Sequence, residues 1–500
     1  MKKIKAFTLL IAIFIATNIY AQPVALDPTF GENGMVVIPN TSEIQLVEFD
    51  NSGNIIAAGY TINEGKYYLT IVKTDSDGVI DLSFGNNGVV NGTEISKMLR
   101  LSLKITDANK IFIAESFYAD PSQSNDYRTT YMRFNEDGSV DETFGDHGKI
   151  IIDYSNPPFR NFSLNTENND FLLFGGIDMN SYDPCILKYN YDGELDKNFG
   201  ENGIVYLTDH ETFKITPMVI KTLSDQSIFI GGFDHMDSWG ATELAFCKLT
   251  SNGNLATDFA NNGLWKMRIS IAGMEEFEYF ADVMEKSNGE LVLLGTIYSI
   301  RASNNPKPVF VCNFHSNGGI NENFGTDGFY YYRFGILPER IRPSAQKILQ
   351  NGSKYIAAFQ HDKIISINHN GTLDTAFNNT GVFVCENYAF EDVKLQGTNK
   401  LILGGRSNGN FALVRLNIPY TSEVSIKQNN YLNDLPLIFP NPAKDYLYFN
   451  AEKQFEIMDL QGRVLLKSEK PLQSVNVSHL KAGVYFIRFE GDRVGKFVKE

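Results

Sequence analysis

A nine-residue phrase returns seven times along this chain, and it restricts the fold more than any other feature. The copies read LDPTFGENG (26–34), IDLSFGNNG (80–88), VDETFGDHG (140–148), LDKNFGENG (195–203), LATDFANNG (255–263), INENFGTDG (320–328) and LDTAFNNTG (373–381). Their phenylalanines, Phe30, Phe84, Phe144, Phe199, Phe259, Phe324 and Phe377, recur every 53 to 65 residues. A period of that size belongs to stacked or circularly arranged supersecondary units, none of which buries its apolar face alone. Five hundred residues exceed one ordinary core, but repeats escape that limit by adding a small core per unit.

The residues between phrases read as strands. Phe (37) and Tyr (24) are plentiful, Asn-Gly and Asp-Gly pairs recur, and no long helical periodicity appears, so the chain is expected to be all-β. In residues 35–88 the spacing predicts four short strands: MVVI (35–38), EIQLVEF (43–49), NIIAAGY (54–60) and YYLTIVKT (67–74). Glycine-bearing turns separate them into an antiparallel meander. The third strand recurs as IFIAES, FLLFGG, IFIGGF, LVLLGT, YIAAFQ and LILGGR, and the fourth recurs with it. Seven four-stranded units predict a seven-bladed β-propeller. The first phrase lacks a fourth strand before it, and FALVRLN (411–417) lacks a phrase after it. The two ends are therefore expected to join and close the ring, which removes two exposed sheet edges.

Within the phrase, the phenylalanine is expected to be an anchor buried between blades. The glycine four residues later, present in all seven copies, marks a backbone position needing positive φ or close approach. Asp27, Asp81, Asp141, Asp196 and Asp374, replaced by Ala256 and Asn321 in two copies, are expected to cap the turn through their side chains. This D-x-x-F-G-x-x-G phrase at near-sixty-residue spacing resembles the delta-60 repeat family, found in bacterial exported β-propeller proteins. The resemblance covers about residues 26–417 and implies an architecture without a single activity.

Residues 1–21 read as a signal peptide: Lys2, Lys3 and Lys5 precede an apolar stretch from Phe7 to Thr17, and Ile19-Tyr20-Ala21 offers a cleavage site. No later segment has the ~18 continuous apolar residues of a membrane helix. The excess of acid sits in the body at 22–417, which argues against a nucleic-acid partner. Cys185, Cys247, Cys312 and Cys385 form no CxxC and are expected to be buried thiols.

Residues 418–434 read as a linker, and 435–500 as a small β-sandwich with an Ig-like look. This segment resembles the C-terminal sorting domain of the type IX secretion system of Bacteroidota. Pro440-Asn441-Pro442 matches its opening motif, Asp459 to Gly462 its D-x-x-G turn, and Leu480 to Tyr485, including Gly483, its L-x-A-G-x-Y segment. The closing basic run carries Lys496. The resemblance implies passage across the outer membrane by the secretion machinery, removal of the domain, and release or attachment at the cell surface.

Catalytic motifs are absent from the sequence: there is no G-x-S-x-G, H-E-x-x-H or P-loop. No cofactor is expected. Acidic turns such as DSDGVID (75–81) leave calcium open, but the carboxylates thin out in other repeats and hairpin turns account for them all. The informative departures are long connections between the third and fourth strands of the second, fourth and fifth units. These carry Tyr118, Asp120, Tyr127, Arg128, Asp234, His235, Asp237, Trp239, Tyr298 and Arg301. Aromatic rings among carboxylates and arginines suit a sugar, with its apolar face and hydroxyl edges. The expected function is a secreted or cell-surface binding module for a glycan or protein partner. A glycoside-active enzyme with paired carboxylates and a structural spacer remain as alternatives.

Overall fold

The computed structural model describes residues 23–500 apart from 96–97, 119–126, 155–160, 165–169, 177–183, 208–214, 236–241, 269–275, 300–307, 334–344, 360–361, 386–387, 420–437, 440–441, 460–461 and 490–492. The segment read as a signal peptide and most of that read as a linker lie outside the described residues. The chain divides into two compact units, Met1–Thr421 and Ser422–Glu500.

The described residues of the first unit form seven antiparallel sheets. The first contains Glu43–Phe49, Ile55–Asn63, Lys66–Thr74 and Val89–Ile95, side by side in chain order. Opening strands of successive sheets touch in turn: 43–49 meets 98–105, followed by 161–164, 216–222, 276–285, 345–351 and 389–396, and the last meets 43–49 again. The sheets therefore close into a ring with their opening strands innermost. Apolar clusters fill the spaces between neighbouring sheets, as where Ile56, Ala58 and Ile71 of the first pack with Ile111 and Ile113 of the second.

The sheet and the sequence repeat are offset by one strand, which corrects the expected meander. Met35–Ile38 does not join the sheet of 43–49; it pairs with the last sheet, Met35 opposite Val414 and Ile38 opposite Phe411. Ala25–Leu26 pairs with Leu416 and Asn417 beside it. The strands read as third and fourth in each repeat are thus second and third in each sheet. Alternation of apolar residues identifies a strand and its faces but not which neighbour supplies its hydrogen bonds. The expected joining of the two ends is what the structure shows.

Each phrase interlocks one sheet with the next. All seven phenylalanines are buried. Under the turn glycine of the following repeat there is no room for a side chain: a Cβ on Gly78 would stand 2.9 Å from the Phe30 ring, and one on Gly193 3.0 Å from Phe144. The residue after the phenylalanine donates its N–H to the same turn, Gly31 to Asp77 O at 2.9 Å and Gly145 to Asp192 O at 2.9 Å. The glycine four residues on has φ between 83° and 96° in every copy, in the range that favours glycine. The phrase aspartates do close their turns: Asp27 Oδ1 accepts Thr29 N at 3.1 Å, and Asp141 Oδ1 accepts Thr143 N at 3.2 Å.

A column of third-strand residues completes this lock. Arg133 Nε donates to Asp141 Oδ2 at 2.7 Å, Lys188 lies 3.2 Å from Asp196, and Ser366 Oγ donates to Asp374 at 3.0 Å. Where the aspartate is Asn321, its partner is Asn313, at 2.7 Å; where it is Ala256, Lys248 turns to Asp225 at 2.8 Å. A charge left in the column finds another partner, as Asp374 does in Lys354 at 2.7 Å, because a buried ion without one is costly. Burial pushes the Asp27 and Asp141 carboxyls up. Hydrogen bonds from Thr29 and Lys400, and from Thr143 and Lys110, outweigh it with help from Arg415 and Arg133, holding both well below the ordinary carboxylate range.

The second unit contains a three-stranded sheet (Ile438–Phe439, Tyr446–Lys453, Leu472–Asn476) and a four-stranded sheet (Val464–Lys467, Phe455–Met458, Gly483–Phe489, Arg493–Lys499). One core joins them, with Leu447, Phe449 and Val475 from the first against Phe455, Ile457, Ile487 and Phe497 from the second. No disulfide forms among the described residues: Cys185, Cys247 and Cys312 are buried thiols, whereas Cys385 is half-buried.

Candidate binding face

The meander separates two jobs between the ends of each sheet. First-to-second turns such as 50–54 and all seven phrases lie at one end, where they lock sheet to sheet. Second-to-third connections join strand ends at the opposite end. They are short at 64–65, 360–362 and 408–409, and long at 119–126, 177–183, 236–241 and 300–307. The long connection in the third sheet escaped the sequence reading.

The candidate residues fall beside these connections. Tyr118 pairs with Tyr127 and Phe117 with Arg128 across the second and third strands of the second sheet. Asp234 faces Glu243 and His235 faces Thr242 in the fourth sheet, and Tyr298 faces Phe277 in the fifth. These six were expected in loops; the structure places them on paired strand ends at one end of the ring. Asp120, Asp237, Trp239 and Arg301 lie outside the described residues. The Asp234 carboxylate is engaged by Lys266 of the outermost strand, two strands away in the same sheet. The second tryptophan, Trp265, is a packing residue, stacked on Phe246 with centroids 4.8 Å apart.

One residue at this end was missed. Glu115 lies on the same strand as Tyr118, opposite Leu101 and Thr130, and is 2% exposed. Its Oε2 has no hydrogen-bond partner among the described residues, and burial pushes its pKa up to about 7. The aligned column reads Gly59, Gly175, Gly232, Gly295, Phe359 and Gly405 in the other sheets, so the break in a glycine column was its signal. A Cβ on Gly59 would meet Glu43 O at 1.9 Å and one on Gly232 Thr216 O at 2.0 Å, because the inner strand bulges opposite them. In the second sheet the bulge moves to lie between Met98 and Arg100, opposite Phe117 and Ser116, away from Glu115. Among the described residues no group of three or more His, Cys, Asp and Glu is placed to hold a metal ion.

The residues read as the sorting motif occupy turns and one strand of the second unit. Asp459 Oδ1 accepts Arg463 N at 3.0 Å, and Gly462, at φ 76°, donates to Asp459 O at 3.0 Å, a closed D-x-x-G turn. Tyr485, in the strand begun by Gly483, donates to Lys481 O at 2.8 Å and stacks on Phe497. Lys496 pairs with Phe486 and is exposed. Pro440 and Asn441 lie outside the described residues and Pro442 is exposed, while Ala443 ties this segment to the last strand through its N–H to Val498 O at 2.8 Å.

Comparison with known proteins agrees with this division. Residues 437–500 match the secretion system C-terminal sorting domain, and residues 51–84 match a domain of unknown function described as a beta-propeller. The molecule is therefore a β-propeller protein with a type IX secretion sorting tail, secreted or held at the cell surface. No helix among the described residues is long and apolar enough to cross a membrane. No curated protein matches the chain. Similar solved structures include Drosophila Semaphorin 2a (9% identity, 96% of this chain and 98% of that one, TM-score 0.47). Others are the polysaccharide lyase Uly1 (12%, 78% and 92%, 0.40) and the GH93 alpha-L-arabinofuranosidase of Fusarium graminearum with arabinobiose (8%, 77% and 97%, 0.40).

Proposed function

We propose that the exported propeller is a non-catalytic binding module that takes a glycan or protein partner on the end of the ring carrying the second-to-third connections. The observation that carries this reading is the division of labour between the two ends. The repeated residues are consumed by sheet-to-sheet locking at one end, and the departures from the repeat collect at the other. Connections carried on a rigid scaffold are where binding residues concentrate. Aromatic and arginine side chains at Tyr118, Tyr127, Arg128 and Tyr298, with Trp239 and Arg301 in the adjoining connections, match the composition of recognition surfaces.

The test is binding of the mature chain to a glycan array and to proteins of the cell surface, with and without calcium. Trp239→Ala and Tyr298→Ala are each expected to weaken a specific hit by about tenfold, an anchor residue's contribution, without shifting the melting temperature. A hit indifferent to both substitutions, or no hit from well-folded protein, overturns the reading.

A further inference from the structure

The innermost strands carry a charge pattern that neither the repeat nor the binding face explains. Crossing each sheet inward from the third-strand column of Lys73, Arg133, Lys188, Lys248, Asn313, Ser366 and Arg415 leads to one residue on each second strand. The next step reaches one residue on each inner strand: Glu48, Lys104, Ser163, Lys221, Met284, Leu349 and Lys394. These seven share a level of the ring, next to the turns at its phrase end. Three ammonium groups stand at that level against one carboxylate, in a protein whose net charge is −15.

That carboxylate is already shared. Glu48 Oε1 receives Lys394 at 2.6 Å and Lys104 at 3.4 Å. Two residues nearer the middle of the strands, Asp282 and Asp392 are turned to backbone, accepting Ile348 N and Val47 N, each at 2.9 Å. Lys347 lies 3.9 Å from Asp282. Among the described residues Lys221 has no carboxylate within salt-bridge distance, and its one acceptor is Val283 O at 3.4 Å. Two of the flanking cations keep partial solvent contact, the Lys104 side chain at 36% and that of Lys347 at 26%.

We propose that this level of the ring is an anion site. It takes an oxyanion group, with Lys221 as its first contact and Lys104, Lys347 and Lys394 supplying the surrounding positive field. Electrostatics agree with the geometry. Burial lowers the Lys221 pKa, and Lys347 and Lys394 lower it further against the pull of Asp282 and Glu285. Glu48 supports the Lys104 ammonium, but burial, Lys394 and Lys347 outweigh it. An incoming anion relieves both groups at once. The oxyanion is either a small free ion or a charged substituent on a larger glycan. The site lies at the opposite end of the ring from the binding face, so either can fail without the other.

The experiment is calorimetric titration of the mature chain at low ionic strength, where exposed charges are least screened. The probes are sodium phosphate, sodium sulfate, and a sulfated disaccharide beside its unsulfated parent. Saturable binding is expected, weakened by about tenfold in Lys221→Met, the size of one lost charge contact. Lys221→Arg and the exposed surface variant Lys66→Met are expected to bind like the parent protein. Without anion, Lys221→Met is expected to melt at a higher temperature, since it removes a cation that has no acid partner. Binding by phosphate or sulfate alone assigns the site to a free ion, and binding by the sulfated disaccharide alone assigns it to a substituent. Absence of saturable binding to all of them, equal binding by folded Lys221→Met, or a lower melting temperature for that variant without anion, overturns the proposal.

Discussion

The seam of the ring and an ordinary sheet-to-sheet interface are the same chemical object assembled by different routes. At the ordinary interface Arg133 reaches Asp141, eight residues away, at 2.7 Å, with Thr143 Oγ1 at 3.1 Å, the Tyr191 carbonyl of the next turn, and the Phe144 ring 4.9 Å beneath its guanidinium. At the seam Arg415 reaches Asp27 at 2.8 Å, Thr29 Oγ1 at 3.0 Å, the Ser76 carbonyl of the next turn at 2.7 Å, and the Phe30 ring at 4.8 Å. Here partner and arginine are 388 residues apart. The ring is a repeat cut once, between a third strand and its phrase, and rejoined by placing the first phrase against the last strand. Arg133 and Arg415 are the largest fully buried side chains among the described residues, which fits their shared role as rivets.

The comparison breaks most visibly at those rivets. Arg133→Met and Arg415→Met each remove several buried hydrogen bonds, while the aspartate keeps a lysine partner, Lys110 or Lys400 at 2.9 Å, and each is expected to cost about 3 kcal/mol in urea unfolding. Only Arg415→Met is expected to speed hydrogen exchange in 25–38 and 411–417, because only there does the lost contact close a loop through the whole ring. Equal protection of those segments in both variants would show that the seam is held by its strand pairing alone.

Glu115 sharpens the contrast between the locking end and the opposite end. The aspartates of the locks are held ionised, so their contribution is present above the unfolded carboxylate pKa and fades as pH falls below it. Glu115 runs the other way. Burial raises its folded pKa to about 7 from an ordinary 4.5, so its contribution is fully present below pH 4.5 and is lost as pH rises through 7. Glu115→Gln is expected to match the parent protein at pH 4.5 and to exceed it by about 2–3 kcal/mol at pH 8. Parallel stability-against-pH curves for the two proteins exclude a buried, unpartnered carboxyl.

The smallest effect tests whether the lock tolerates either neutral or ionic chemistry. In the fifth sheet Asn313 and Asn321 stand where others use a cation and an aspartate. Asn313→Lys and Asn321→Asp are each expected to destabilise, and the double variant to recover about 1 kcal/mol of coupling in a double-mutant cycle. Zero coupling would mean that the column is a coincidence of sequence.

Much of this was legible in the residues. The seven phrases announced a ring, their glycines a left-handed backbone, and their aspartates a side-chain cap, because each depends on a local conformation that few residue types adopt. The eight-residue spacing from Arg133 and Lys188 to Asp141 and Asp196 was equally available and went unread. The candidate face was legible only as a departure from the repeat: the aromatic and charged residues stood out, but their places on strand ends did not.

The sequence alone determined the repeat, the turn chemistry, the strands and the sorting tail, all consequences of short-range backbone preference and side-chain period. The tertiary structure decided which strand lies innermost and that Met35–Ile38 belongs to the last sheet. It also decided that Glu48, Lys104, Lys221 and Lys394 meet at one level. Those outcomes depend on which sheet edges close on one another, and contacts between residues hundreds of positions apart leave no periodic trace in the chain.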